Sequence, residues 1–301
     1  MTTVCVSTEA LADAVRTAHP DVEVLVWSDP SAPPAGLDRV EFLVPELLAS
    51  AADLAAMTSL RVVQLPSAGV ETYVDVVPDA VTLCDGQGVH GGSTSEWAMA
   101  ALLAVLRDIP AFVTAQQSGQ WTRHTTDELQ DKRVLVVGAG DLGRAMRRRL
   151  EAFDATVTLA ARRARDGVHS TEELPTLLPE ADVVVLMVPL TAATTGFVDA
   201  AFLAAMPDGA VLVNAARGKV VDTDALVAEL SSGRLRAALD VTEPEPLPAD
   251  HPLWHAGNVL ITPHVGGNVV GFPRRAERLV LAQLGRFLAG EPLENVVSEG
   301  Y

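Results

Sequence analysis

The chain has 301 residues, with 22 Lys and Arg against 39 Asp and Glu, and a formal net charge of −17. At roughly 150 residues per domain this allows about two domains with cores of their own; 49% apolar and 20% charged residues exclude disorder. No run approaches the roughly 18 apolar residues of a membrane span, and so acidic a chain repels phosphate backbones and anionic lipid, which excludes nucleic acid and membrane as partners.

The start, Met1-Thr2-Thr3-Val4-Cys5, has neither a basic nor an apolar leader pattern, and predicts a cytoplasmic protein without a secretory signal. Val-rich runs at Val4–Ser7, Val24–Trp27, Val40–Val44, Val62–Leu65 and Val81–Cys84 predict strands. Helical patterns lie between them at Glu9–Ala18 and Pro45–Met57, and Asp29–Gly36 reads as a turn. Cys5 and Cys84 fall inside these strands, which predicts a reduced, buried pair. No zinc site is expected, because too few ligand-type residues cluster. A long helical pattern follows from about Ser93 to Ser118, with Ser93 or Thr94 as its cap and Glu96 in its first turn, as the helix dipole favours. No Gly- or Ser-rich linker appears, so this helix is expected to join two α/β parts. Strands then resume at Arg133–Val137, Thr156–Ala160, Val183–Val188, Ala210–Asn214, Ala237–Leu239 and Val259–Ile261, and a last helix covers about Arg274–Ala289. Short Val-rich runs alternating with Ala/Leu-rich helical patterns are the signature of parallel βα units, hence an α/β protein.

Within the second part, Val134-Leu135-Val136-Val137 runs into Gly138-Ala139-Gly140-Asp141-Leu142-Gly143 and then into Arg144–Phe153. Strand, G-x-G-x-x-G and helix in this order predict a dinucleotide site. Gly138 permits the tight turn, Gly140 lets the backbone approach a pyrophosphate, and Gly143 lets helix and strand pack closely. The helix N-terminus adds free N–H groups and positive dipole. An NAD-binding version ends the next strand on an acidic residue that bonds the ribose hydroxyls. Here the corresponding stretch is Leu159-Ala160-Ala161-Arg162-Arg163-Ala164-Arg165. The acid is absent, and guanidinium groups suit a 2′-phosphate. The reading favours NADP(H), with NAD(H) as the alternative. Arg162 and Arg163 are the expected ligands, and Arg165 is expected to point away. Arg147, Arg148 and Arg149 read as a solvated helix face.

Three later segments put ionisable residues at strand ends: Asn214-Ala215-Ala216-Arg217-Gly218, Asp240-Val241-Thr242-Glu243-Pro244-Glu245-Pro246, and Thr262-Pro263-His264-Val265-Gly266-Gly267. Ligands of an open parallel sheet bind beyond the carboxyl ends of its strands. An Arg there can clamp a carboxylate and polarise a carbonyl, a His can pass a proton, and a carboxylate can orient the His.

These segments, with Ser67-Ala68-Gly69-Val70, Thr94-Ser95-Glu96, Gly119-Gln120-Trp121, the glycine loop and Val188-Pro189-Leu190-Thr191, resemble the D-isomer-specific 2-hydroxyacid dehydrogenase family over nearly the whole chain. This family includes glyoxylate/hydroxypyruvate reductases and phosphoglycerate dehydrogenases. The resemblance implies a Rossmann-type coenzyme domain over 94–268 and a discontinuous, flavodoxin-like substrate domain over 1–93 with 269–301, both with parallel sheets. It implies catalytic roles for Arg217, Glu245 and His264, with Glu245 rather than Glu243 as the carboxylate. It places the substrate carboxylate on the backbone N–H groups of Ala68, Gly69 and Val70 and on Arg217. On the cofactor side it implies Thr94, Gly138, Gly140, Asp141, Leu142, Gly143, Val188, Pro189, Ala215, Asp240 and Gly266, beside Arg162 and Arg163. The implied partner is a small 2-oxo or 2-hydroxy acid, and the implied assembly a homodimer. His90 reads as a loop histidine, and Trp97, Trp121 and Trp254 as packing residues. The chain departs from the family pattern in lacking the acidic ribose partner, in having Thr242 where an aromatic is usual, and in the run Asn268-Val269-Val270-Gly271-Phe272 after the histidine. A reading of another class, also drawn from the resemblance, is a dinucleotide-sensing, corepressor-like interaction protein on the same fold.

Overall fold

The computed structural model describes residues 1–45 and 50–297. The chain divides into two compact units, one of Met1–His90 with the chain from Val270 onward and one of Gly91–Val269.

The first unit contains β1 (Thr3–Val6), α1 (Glu9–Ala18), β2 (Glu23–Val26), β3 (Val40–Val44), α2 (Ala51–Ala56), β4 (Val62–Gln64) and β5 (Thr82–Cys84). Among the described residues its parallel sheet has the order β2-β1-β3-β4-β5, the flavodoxin-like order. Strand residues alternate between two apolar layers. Cys5, Leu43, Val63 and Leu83 face one, while Val4, Val6, Phe42, Val44 and Val62 face the other. Thr8 caps α1 through a bond from Leu11 N–H, and Ser50 and Asp53 form a capping box on α2. The predicted helix Pro45–Met57 is described only from Ser50, since 46–49 lie outside the described residues.

The second unit opens with α3 (Gly91–Leu106) and α4 (Ile109–Gln117) and continues through β6 (Arg133–Val137), α5 (Asp141–Glu151), β7 (Thr156–Ala161), β8 (His169–Ser170), α6 (Leu174–Leu177), β9 (Val183–Leu186), α7 (Ala200–Ala205), β10 (Val211–Asn214), α8 (Thr223–Ser231), β11 (Arg236–Leu239) and β12 (Val259–Ile261). Among the described residues its parallel sheet has the order β12-β11-β10-β9-β6-β7-β8, a doubly wound Rossmann arrangement whose strand order reverses between β6 and β9. Leu135, Val137, Val184 and Leu212 pack on one face, and Val134, Val136, Val185 and Val213 on the other. Burial on both faces explains why these strands read as unbroken apolar runs. The chain then returns to the first unit as α9 (Phe272–Ala289), whose Val280 and Leu284 bury against the layer holding Val4, Val6 and Ala12. Gln283, also buried, donates to Gln64 Oε1 at 2.8 Å.

Some expectations are corrected here. The single helix Ser93–Ser118 is two helices, α3 and α4, that meet at a 67° bend. Pro110 at the start of α4 lacks the N–H that would bond the Leu106 carbonyl, and its ring would clash with that carbonyl. Asp108 takes a left-handed φ of 49° at the corner. The helix also begins earlier, at Gly91, so Ser93 and Thr94 lie inside its first turn and Glu96 beyond it. Ser95 Oγ bonds back to the Gly92 carbonyl at 3.1 Å. The short β8 was not foreseen. Trp121 is 99% exposed and Trp254 47% exposed, so neither is a core residue, whereas Trp97 packs against the layer of Leu102 and Val136.

Candidate active site

The glycine loop joins β6 to α5 at the point where the strand order reverses. Its three glycines have different reasons to be glycine. Gly138 has φ +115°, and an added Cβ would come within 2.2 Å of the Met187 carbonyl oxygen. At Gly143 a Cβ would lie 1.8 Å from the Gly138 carbonyl oxygen. At Gly140 a Cβ would meet nothing within 4 Å, and its φ of −78° suits any residue. The fold therefore demands the first and third glycines, but not the second. Gly140 leaves open space over the N-terminus of α5, and this cradle fits a pyrophosphate held by backbone N–H groups.

The other expected cofactor residues lie on the elements around the loop. Asp141 and Leu142 open α5 and Gly143 is buried within it. The Asp141 carboxylate lies against Gly91, where a Cβ would be 2.0 Å from Oδ2. Thr94 is buried in the first turns of α3. Val188 and Pro189 follow β9, and Ala215 follows β10 with its N–H bonded to the Leu186 carbonyl. Arg162 and Arg163 are exposed directly after β7. Arg165 does not point away: its Nη2 donates to the Ala139 carbonyl at 3.0 Å. The expected solvated face of α5 is also partly engaged, with Arg149 bonded to the Gly92 carbonyl and Arg147 paired with Glu151 at 2.6 Å.

Arg217, Glu245 and His264 follow β10, β11 and β12, three adjacent strands of one sheet. Asn214 shapes the first loop: its Nδ2 donates to the Arg217 carbonyl at 3.1 Å and its Oδ1 accepts from Ala216 N–H at 3.0 Å. Arg217 Nη1 donates to the Ala216 carbonyl at 2.7 Å. Gly218 then touches the second loop, where a Cβ would lie 1.8 Å from the Thr242 carbonyl oxygen and 2.7 Å from Glu243 N. Only glycine lets the Arg217 loop and the Glu245 loop approach so closely. Thr242 is buried and bonds the Pro244 carbonyl at 2.9 Å.

The third loop is built on Asp240. Its buried carboxylate accepts from Thr262 Oγ1 at 2.6 Å, Val265 N–H at 2.9 Å and Gly266 N–H at 2.7 Å. His264 N–H bonds the Asp240 carbonyl at 2.7 Å. These bonds hold His264 at φ +54°, a conformation costly to a residue with a Cβ and kept only where its surroundings enforce it. A Cβ on Gly266 would come 2.8 Å from Asp240 Oδ2 and 3.4 Å from Trp97. So held, His264 Nδ1 lies 2.6 Å from Glu245 Oε1. Both side chains are partly exposed, at 46% and 40%, so the pair is reachable from solvent. A histidine bonded to a carboxylate through Nδ1 keeps Nε2 for proton transfer. The bonds from Asn214 and Asp240 were not singled out in the sequence, although both residues stand in the quoted motifs.

In the first unit, Ala68, Gly69 and Val70 follow β4. Gly86 N–H bonds the Ser67 carbonyl at 2.7 Å, and a Cβ on Gly86 would press on the backbone of Pro66 and Ser67 at 2.7 Å. The loop after β5 thus braces the loop after β4. His90, in the loop before α3 as expected, stacks on Phe272 with ring centroids 5.0 Å apart.

Known proteins resemble this chain over most of its length. The family model described as "D-isomer specific 2-hydroxyacid dehydrogenase, NAD binding domain" matches residues 99–266. A glyoxylate reductase of Thermofilum pendens is 34% identical over 253 residues, covering 78% of this chain and 74% of that protein. A D-isomer specific 2-hydroxyacid dehydrogenase from Xanthobacter autotrophicus Py2, solved with NADPH and MES, superposes with a TM-score of 0.87 at 32% identity, covering 99% of this chain and 98% of that one. An NADPH-dependent glyoxylate/hydroxypyruvate reductase from Sinorhizobium meliloti, solved with NADP and sulfate, gives a TM-score of 0.88 at 30% identity, with the same coverage of each chain. These relatives are enzymes and lend the corepressor-like alternative no support. With the glycine cradle over α5, the histidine–carboxylate pair and this likeness along its length, the chain belongs to the D-isomer specific 2-hydroxyacid dehydrogenase family.

Proposed function

We propose that this protein reduces a small 2-oxo acid, of the glyoxylate or hydroxypyruvate kind, to the D-2-hydroxy acid, and catalyses the reverse oxidation, with NADP(H) preferred. The observation that carries this reading is the 2.6 Å bond between His264 Nδ1 and Glu245 Oε1, in loops beside the one that presents Arg217. The dinucleotide, when bound, supplies or accepts the hydride. The glycine loop, with the N-terminus of α5, holds its pyrophosphate, and Arg162 and Arg163 fork around its 2′-phosphate. The first unit is the substrate-binding domain, in which the N–H groups of Ala68, Gly69 and Val70 take the substrate carboxylate. Arg217 stabilises the negative charge that develops on the keto oxygen. Protonated His264 gives its Nε2 proton to that oxygen, while Glu245 orients the ring and balances its charge. In the oxidation neutral His264 takes the proton back. Reduction therefore declines at high pH and oxidation at low pH.

NADP(H) preference is supported by Ala161-Arg162-Arg163 where an acid would repel a 2′-phosphate, and by the NADPH and NADP in the two structural neighbours. We assign the exposed face of α4 to a second copy of this chain. Among the described residues α4 buries none of its own side chains; Ile109 and Val113 are 47% and 46% exposed, and Trp121 just beyond is 99% exposed.

The test is oxidation of NADPH and of NADH by the purified protein against a panel of small and bulky 2-oxo acids. Turnover faster with NADPH, lost by at least ~10²-fold in Glu245→Gln and His264→Ala with dinucleotide affinity retained, is the expected result. Unchanged turnover in both variants would overturn the assignment of the pair. Preference for NADH would keep the enzyme and reject the cofactor assignment.

A further inference from the structure

We infer that Arg144 and Arg165 are positioning residues that set the phosphate loop for pyrophosphate by clamping the Ala139 carbonyl. The inference rests on the dinucleotide reading above and assigns these two arginines a task different from that of Arg162 and Arg163. Arg144 Nη1 donates to the Ala139 carbonyl at 3.1 Å, and Arg165 Nη2 donates to the same oxygen at 3.0 Å. A carbonyl has two lone pairs, and both are filled here by guanidinium groups from opposite sides in sequence, one on α5 and one on the turn between β7 and β8. That turn is closed by paired backbone bonds between Arg165 and Val168, which fixes where the Arg165 side chain starts. Bringing two like charges to one oxygen is unfavourable for groups that could stand apart in water, so the acceptor and its orientation are what the arrangement secures.

The consequence lies in the peptide plane. In a trans peptide the carbonyl and the following N–H point in opposite directions. Holding the Ala139 carbonyl on the arginine side turns the Gly140 N–H to the other side of the loop. Gly140 is the residue whose added Cβ would meet nothing within 4 Å, the cradle assigned to pyrophosphate. Two cations on the carbonyl also polarise the peptide and make its N–H a stronger donor. The positive charge thus acts on the anion through the peptide, without either guanidinium having to touch it. Seven of the chain's 22 Lys and Arg residues lie between 144 and 165, which gives this loop a positive field in a chain of net charge −17 and draws an anionic ligand to it.

The experiment compares dissociation constants of NADPH and NADH, measured by the fluorescence of the bound nicotinamide, in the wild type, Arg165→Ala, Arg144→Ala and Arg162→Ala/Arg163→Ala. Pyrophosphate is common to both dinucleotides and the 2′-phosphate is not. Arg165→Ala and Arg144→Ala are expected to weaken NADPH and NADH by the same factor, about tenfold, as for the loss of one charge-assisted bond. The Arg162/Arg163 variant should weaken NADPH alone. Arg165→Lys, which restores a cationic donor, should recover most of the loss, and Arg165→Gln should recover less. The Gly140 amide resonance in the ligand-free protein should move in Arg165→Ala and Arg144→Ala and stay in place in the Arg162/Arg163 variant, which leaves both bonds to the Ala139 carbonyl. If Arg165→Ala does not fold, the Lys and Gln variants decide the same comparison. A loss confined to NADPH would make Arg165 a reader of the 2′-phosphate and overturn the inference, as would unchanged affinity for both. Failure of the wild type to bind either dinucleotide would overturn the cofactor reading itself.

Discussion

Glycines 140 and 218 carry opposite predictions, although both stand in motifs quoted from the sequence. Gly218→Ala forces a Cβ against the Thr242 backbone at 1.8 Å. The loops of Arg217 and Glu245 must separate, so urea denaturation should show a loss of about 1–3 kcal/mol, with turnover falling further than cofactor affinity. Gly140→Ala meets no neighbour; its stability should stay within about 0.5 kcal/mol of wild type, while dinucleotide affinity falls because the methyl occupies the cradle. Equal stability losses in the two variants would contradict this distinction. The cysteines are a second case at this scale. Both are fully buried, and burial pushes the Cys5 thiol up to about 12 and the Cys84 thiol up to about 11. They lie on β1 and β5, with β3 and β4 between. At ~4.8 Å per strand that is about 14 Å, beyond disulfide reach. The unfolded chain ionises its thiols near 9, whereas the folded chain keeps them protonated. Their contribution to stability is therefore full below pH 9 and is lost as pH rises toward 11 and 12. Cys5→Val should flatten the alkaline limb of a stability–pH curve, and a thiol reagent should label neither cysteine until the protein unfolds.

Elements were legible where their own residues carry the signal, and less so where a neighbour does. β3, β6 and β12 have the ends expected from their Val-rich runs; β3 and β6 are buried along most of their length, where continuous apolar stretches belong, while the edge strand β12 is only partly buried. The pattern Ser93–Ser118 concealed a corner, because apolar periodicity persists across α3 and α4 while Pro110 breaks the hydrogen-bond ladder beneath it. β8 leaves no signal in the sequence, because two residues, His169 and Ser170, have no periodicity to read. The loop after β12 shows how an element is set from outside. Its shape depends on the Asp240 carboxylate at the end of β11, through three bonds to Thr262, Val265 and Gly266. Asp240→Ala leaves these donors without their acceptor and should cost about 3 kcal/mol in a denaturation experiment. It should also release His264 from its left-handed backbone and lower turnover. Full activity in this variant would show that the loop is held by other means.

At the scale of the whole molecule, the proposed second copy on α4 makes a measurable claim. The chain mass is 31.7 kDa, so sedimentation should give twice that value. Val113→Glu places a charge on the exposed face and should return the monomer mass, with little change in the stability of the chain itself. A monomer in the wild type would refute the assignment. The order of events along the chain also matters at this scale: α9 packs on the first unit although 179 residues of the second unit, Gly91–Val269, intervene. By themselves the residues determined the α/β class and the phosphate loop, and put an Arg, two Glu and a His at strand ends, because glycine spacing, strand hydrophobicity and residue type are local properties of the chain; the choice of Arg217, Glu245 and His264 among them came from the family resemblance. Only the tertiary structure decided that Gly218 must be glycine, that Asp240 holds the histidine loop, and that Arg144 and Arg165 meet on one carbonyl. Each of these depends on a contact between segments far apart in sequence, and such a contact has no periodicity or composition from which it could be read.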